Sequence, residues 1–247
     1  MNTPIDWLIA RPIAHRGLHD KTRSDVENTA SAFAAAIAGN FAIECDLQIT
    51  ADGEAVVFHD EKLERLTESM GLVKDLTAAE VTRLTIRNSK DRVQTLVSLL
   101  QQVDGRVPLA IELKTHWDGS TALAQRALDV LRNYHGHYCL MSFDPDVIEF
   151  LRLQSPRTIR GIVADRATEQ YYNMLPPKRR LELRTLSHLG RTQPHFISFY
   201  IRDLPFAPIT ELRSAGTPVI SWTIRSPAQA AMALRHSDQI TFEGFNP

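Results

Sequence analysis

Residues 42–60 read AIECDLQITADGEAVVFHD. An apolar run carries Glu44 and Asp46 two positions apart, turns at Ala51-Asp52-Gly53, and returns through AVVF to His59 and Asp60. The pattern predicts two extended segments joined by a tight turn. Positions i and i+2 of a strand share a face, so both carboxylates point the same way. A carboxylate placed in an apolar strand needs a partner. Two outlets exist: a buried ion network with nearby cations, or a bound metal ion.

Outward from this stretch, short β-branched runs alternate with helical patterns along the whole chain. Strands are expected near 12–15, 42–48, 55–59, 109–114, 138–142, 158–164, 196–200, 219–223 and 239–242. Helical patterns fill 28–38, 78–84, 96–103, 120–134, 145–153, 169–189, 209–215 and 227–235. Asn28, Thr77 and Asp144 read as helix N-caps, and Gly39, Gly190 and Gly216 as stops. Such alternation indicates βαβ units and a parallel sheet. Counting the two limbs of the 42–60 hairpin as one leaves eight strand positions, which close naturally into an α/β (β/α)8 TIM barrel. Its active site would gather at the carboxyl ends of the strands. With 247 residues and no Gly/Ser/Pro linker, the expectation is one domain over 1–247.

Charge excludes some classes of function. Lys+Arg 28 against Asp+Glu 29 leaves a net charge of -1 with no like-charge block, so no footprint for nucleic acid is visible. The run Lys178-Arg179-Arg180 reads as a solvated helix start. Cys45 and Cys139 lie in apolar runs without CxxC spacing, which fits buried thiols in a reducing compartment. No basic leader precedes an apolar stretch, and no transmembrane segment is legible, so a soluble cytoplasmic protein is expected. The oligomeric state is left open.

The polar residues at the expected strand ends form an ordered set. AHRG supplies His15 and Arg16, ECD supplies Glu44 and Asp46, FHD supplies His59, and ELK supplies Glu112 and Lys114. Three converging carboxylates repel one another and raise their own pKa values, so a divalent ion is the simplest counter-charge. All-oxygen ligation favours Mg²⁺ or Ca²⁺. Two histidines beside it suit general acid and base work. Arg16 and Lys114 suit an anionic, phosphate-bearing substrate.

With these residues in place, the sequence resembles the glycerophosphodiester phosphodiesterase family. The resemblance rests on IAHRGLH, on ENTASAFAAAIAGNFAIECDLQITADGEAVVFHD, on LERLT, GLVKDLTAAEV and IELK, and on Ser142-Phe143. It implies a TIM barrel with a small inserted segment after the second strand, roughly residues 49–75. It further implies that Glu44, Asp46 and Glu112 bind one divalent metal, Mg²⁺ or Ca²⁺, and that His15 and His59 are the general acid/base pair. Arg16 and Lys114 would bind phosphate, Trp222 would be an aromatic wall of the pocket, and Glu27 a supporting carboxylate near the metal and glycerol side. The implied reaction converts a small-molecule glycerophosphodiester into glycerol 3-phosphate and an alcohol. Three departures stand out: Val26 before ENT, RVQTLVSLL at 92–100, and Glu243 where the family tends to carry Asp. The competing readings are a related phospholipid-cleaving barrel of the sphingomyelinase D or lysophospholipase D kind, and a catalytically weak binding module.

Overall fold

The computed structural model describes residues 5–20 and 26–247. Its strands are β1 (Ile13–Ala14), β2 (Ala42–Ile49), β3 (Ala55–Val57), β4 (Leu109–Leu113), β5 (Tyr138–Ser142), β6 (Arg160–Ala164), β7 (Phe196–Tyr200), β8 (Val219–Ile224) and β9 (Gln239–Phe242). Its first five helices are α1 (Asp6–Ile9), α2 (Ala30–Ala38), α3 (Ala78–Val81), α4 (Leu96–Val103) and α5 (Ala122–Leu131). The remainder are α6 (Pro145–Gln154), α7 (Pro177–Thr185), α8 (Leu189–Thr192), α9 (Ala207–Ser214) and α10 (Pro227–Ala233).

Strand order is β1-β9-β8-β7-β6-β5-β4-β2-β3, and a further β1–β2 pairing closes the sheet on itself. Every pairing in that ring is parallel, whereas β3 joins the outer flank of β2 antiparallel. The chain is therefore an eight-stranded parallel barrel with one extra strand. The two limbs of the 42–60 hairpin divide as expected, one inside the ring and one beside it.

Side-chain alternation sorts each barrel strand into two faces. In β2, Ile43, Cys45 and Leu47 join the apolar layer that meets the helices, as do Leu109, Ile111 and Leu113 in β4. The intervening residues point into the lumen. The lower lumen is filled by Ile13, Ala42, Ala110, Cys139, Met141 and Phe196, with Leu8 of α1 packed among them. A Cβ on Gly161 would stand 2.2 Å from the Phe196 ring, so the close approach of β6 to this plug requires glycine there. Above the plug the lumen turns polar: Glu44, Asp46 and Gln48 follow Ala42, and Glu112 follows Ala110, all buried. Cys45 and Cys139 are free and buried.

Several boundaries differ from the sequence reading. Thr29, not Asn28, caps α2: its hydroxyl accepts from Ala32 N and donates to Val26 O at 2.7 Å. Thr29 is fully buried, so Thr29→Ala should lower the unfolding free energy by about 1–2 kcal/mol. A urea midpoint unchanged in that variant would refute the capping role. The expected helix 169–189 is broken at Pro176-Pro177, because proline at an interior position removes a donor and clashes with the preceding turn. A 3-10 turn, Gln170–Met174, precedes α7, which starts on Pro177. Gly190 lies inside α8 and does not end a helix.

Between β3 and α4 the chain makes a long excursion, residues 58–95, which runs past residue 75. It has its own small core of Phe58, Leu63, Leu66, Val73, Val81, Ile86 and Val93. A full capping box opens α3, with Thr77 and Glu80 satisfying each other's backbone amides.

Candidate active site

The carboxyl ends of the strands open on a cavity of about 540 Å³ lined by His15, Arg16, Glu44, His59, Glu112, Lys114 and Trp222, among others. Asp46 lies buried directly beneath. Among the described residues, Glu27, at the rim, reaches this group through Arg16 and Arg65. All nine residues singled out in the sequence therefore belong to one constellation.

Asp46 and Glu112 sit opposite each other in the β2–β4 register. With Glu44 they form a buried cluster in which one oxygen from each lies within 4.8 Å of the others. Lys114 Nζ reaches Asp46 Oδ1 at 2.8 Å and Glu112 Oε1 at 2.5 Å, and Arg16 Nε lies 3.2 Å from Asp46 Oδ2. These cations hold the Asp46 carboxyl far below its ordinary range, Lys114 more than Arg16, against the opposing effect of burial. Glu44 makes no ion pair with a lysine or arginine side chain among the described residues, and Arg16 and Lys114 compensate it only in part. Burial, reinforced by Asp46 and Glu112, pushes its carboxyl well above the ordinary value. Of the two outlets foreseen, the ion network is present around Asp46, while Glu44 is only partly compensated. The cluster is a candidate site for a hard cation.

The local backbone explains why Arg16 and Glu44 meet. After β1 the chain turns with φ of 56° at Arg16 and 81° at Gly17, both in the left-handed region. A Cβ on Gly17 would come within 2.9 Å of Ala32, so only glycine allows this turn against α2. The turn aims Arg16 N at Glu44 Oε2, 2.8 Å away. Asn28, also left-handed at φ 57°, spans Asp46: its amide donates to Asp46 Oδ2 at 2.8 Å and its carbonyl accepts from Asp46 N at 3.3 Å. Its job is to orient a carboxylate, which the capping expectation missed.

Each histidine is held through Nδ1. His59 Nδ1 lies 2.6 Å from Asp60 Oδ1, and Gln48 donates to its backbone carbonyl at 3.0 Å. His15 Nδ1 lies 2.6 Å from Glu243 Oε2, and Arg225 holds the other oxygen of Glu243 at 2.7 Å. Both carboxyls are held far below their ordinary range despite burial: Asp60 by hydrogen bonds from His59 and Arg65, Glu243 by hydrogen bonds from His15 and Arg225, with the His19 imidazole 3.8 Å away. Being ionised, they can only accept, so each Nδ1 carries a proton and each Nε2 is left for other chemistry. Burial lowers the His15 imidazole to about 4, even with Glu243 opposing it, so it is neutral near pH 7. His15 Nε2 lies 4.0 Å from Glu44 Oε2.

Glu27 does not join the carboxylate cluster. It accepts from Arg16 at 2.7 Å and from Arg65 at 2.7 and 2.9 Å, and these partners hold it at about 2, Arg65 foremost, against the effect of burial. Trp222 stands on β8 with Nε1 donating to Ser198 O at 3.0 Å. Its ring packs edge-on to Phe143 and tilted on Tyr200, forming an aromatic side to the cavity. Trp117 and Tyr171 also line the cavity. No strand-end pattern marked Trp117, Tyr171, Arg65 or Arg225, because Tyr171 lies in the 3-10 turn and the other three in loops.

Residues 15–237 match the Glycerophosphoryl diester phosphodiesterase family. The chain belongs to that family. A glycerophosphodiester phosphodiesterase of Caldanaerobacter subterraneus is 31% identical over 131 residues, covering 50% of this chain and 53% of the relative. The bovine glycerophosphodiester phosphodiesterase 1 is 26% identical over 203 residues, 78% of this chain and 55% of the relative. The chain thus spans about half the length of these curated relatives. A solved Oleispira antarctica phosphodiesterase, in complex with the product sn-glycerol-3-phosphate, superposes with a TM-score of 0.78 over 94% of this chain and 91% of its own. At 19% identity that likeness shows the TIM-barrel fold. No helix among the described residues is long and apolar enough to cross a membrane.

Proposed function

We propose that residues 1–247 form one catalytic unit that hydrolyses glycerophosphodiesters to glycerol 3-phosphate and an alcohol. The observation that carries this reading is the convergence, on one cavity, of two Nδ1-anchored histidines, a phosphate-suited arginine and a buried carboxylate triad. Family membership supports the substrate class.

Glu44, Asp46 and Glu112 fit a divalent ion, Mg²⁺ or Ca²⁺: all donors are oxygen, all are buried, and Glu44 is only partly compensated by Arg16 and Lys114. Such an ion, when bound, supplies Lewis-acid stabilisation of charge on phosphorus oxygens. The remaining work falls to side chains. One histidine takes the proton from the attacking glycerol hydroxyl through Nε2 as the new P–O bond forms. The other donates a proton to the leaving alkoxide as the head-group P–O bond breaks, and water then opens the cyclic phosphate. Arg16 and Lys114 hold the non-bridging oxygens, and Trp222 walls the head-group side. Two buried free thiols suit a cytoplasmic enzyme acting on a soluble diester.

The test is a panel of glycerophosphodiesters, lysophospholipids and sphingomyelin vesicles, assayed with chelator and with each metal. Release of alcohol from soluble diesters supports the reading. Cleavage of vesicle lipids alone would replace it with a phospholipid-cleaving enzyme. No turnover of any diester with either metal would leave a binding module.

A further inference from the structure

The excursion at residues 58–95 sends one cationic side chain back to the site. Arg65 donates to both oxygens of Glu27, through Nη1 at 2.9 Å and Nη2 at 2.7 Å. The same guanidinium donates to both oxygens of Asp60, through Nε at 2.5 Å and Nη2 at 3.0 Å. Each carboxylate in turn grips one residue of the cavity: Glu27 holds Arg16 at 2.7 Å and Asp60 holds His59 at 2.6 Å. The result is an unbroken chain, Arg16–Glu27–Arg65–Asp60–His59, between two groups delivered by different strands. Only a guanidinium has the planar donor geometry to serve two carboxylates at once; an ammonium is a single point charge.

The excursion is built to hold that side chain in place. Leu63 and Leu66, which flank Arg65, are buried in the small core with Phe58, Val73, Val81 and Ile86. The turn is closed by Thr67 N to Leu63 O at 3.0 Å, and Arg87 locks it from behind, N to Leu66 O at 2.8 Å and Nε to Thr67 O at 2.6 Å.

We infer that Arg65 is a positioning residue that couples the phosphate-binding arm of the site to its His59 arm. The inference rests on the proposed reaction for the roles of Arg16 and His59, and on the geometry alone for the coupling. It specifies a pattern across three variants. Asp60→Asn loosens His59 and lowers kcat while glycerol 3-phosphate binding, measured by calorimetry, stays within about twofold. Glu27→Gln weakens that binding, with the smaller effect on kcat. Arg65→Met does both, each by at least about tenfold, the scale expected when reacting groups are misplaced by an ångström or less. Arg65→Lys keeps the charge and does not restore both readouts, whereas guanidinium ion added to Arg65→Ala restores part of the turnover and ammonium does not. In the double variant Asp60→Asn/Arg65→Met, the kcat loss should exceed that of Asp60→Asn alone by less than about threefold, because both changes cut one link.

A second readout needs no turnover. The proton shared by His59 Nδ1 and Asp60 should give a downfield imidazole resonance in the wild type, lost or broadened in Arg65→Met while the melting temperature stays within a few degrees. If Arg65→Met retained that resonance and wild-type kcat and binding, or if Arg65→Lys matched the wild type in both, the coupling role would be overturned. Should the wild type cleave no diester, the proposed reaction would fail, and the resonance would still decide whether Arg65 positions His59.

Discussion

His59→Ala lowers kcat by roughly two to four orders of magnitude on a good glycerophosphodiester, the range for losing a general acid or base. The size follows from how the residue is held. Asp60 fixes Nδ1 and Gln48 fixes the backbone carbonyl, so the ring has one free nitrogen and one orientation. A water that replaced it would not have the placement. His15→Ala should behave alike, since Glu243, just past β9, anchors it in the same manner and is itself held by Arg225, just past β8. Neither ring is part of the fully buried apolar core, and both variants should melt within a few degrees of the wild type. Rates within a few-fold of wild type for both, on a substrate the enzyme turns over well, would sink the two-histidine mechanism.

How much of this was legible in the sequence depends on how far each partner lies along the chain. The barrel was readable because period-2 and period-3.6 patterns are local, and the alternation in β2 and β4 delivered Glu44, Asp46 and Glu112 to one face. Strand ends are marked by the change from apolar to polar, so His15, Arg16, His59 and Lys114 could be found there. What stayed hidden are partnerships set by closure of the barrel. Glu243 meets His15 only because β9 pairs with β1, and its role reads as a departure from family pattern until that pairing is seen. Arg65 sits in a loop, 38 residues from Glu27; the LERLT element contains it, but no strand-end pattern assigns it a place at the site. Asn28 misled in the opposite direction: its position before an alanine-rich helix suggested a cap, but its left-handed backbone turns it onto Asp46 and leaves capping to Thr29.

The second large effect concerns the ion. Chelation should abolish turnover and Mg²⁺ or Ca²⁺ should restore it, while Glu44→Gln should raise the metal concentration needed by about tenfold or more, the scale seen for weakened metal sites. The electrostatics make a sharper demand than activity does. In the ion-free protein Glu44 is a liability, a buried carboxyl pushed up first by desolvation and then by Asp46 and Glu112. Glu44→Gln removes that repulsion, so the ion-free variant should be at least as stable as the ion-free wild type. Adding the ion should reverse the order. A ligand present at a hundred times its Kd stabilises the folded state by about 2.7 kcal/mol, so the wild type should gain several degrees in Tm and the variant far less. Equal metal-induced shifts in the two proteins would remove Glu44 from the ligand set. If neither shifted and chelator left turnover intact, Lys114 and Arg16 would be sufficient partners for the cluster, and the buried carboxylates would belong to an ion network alone.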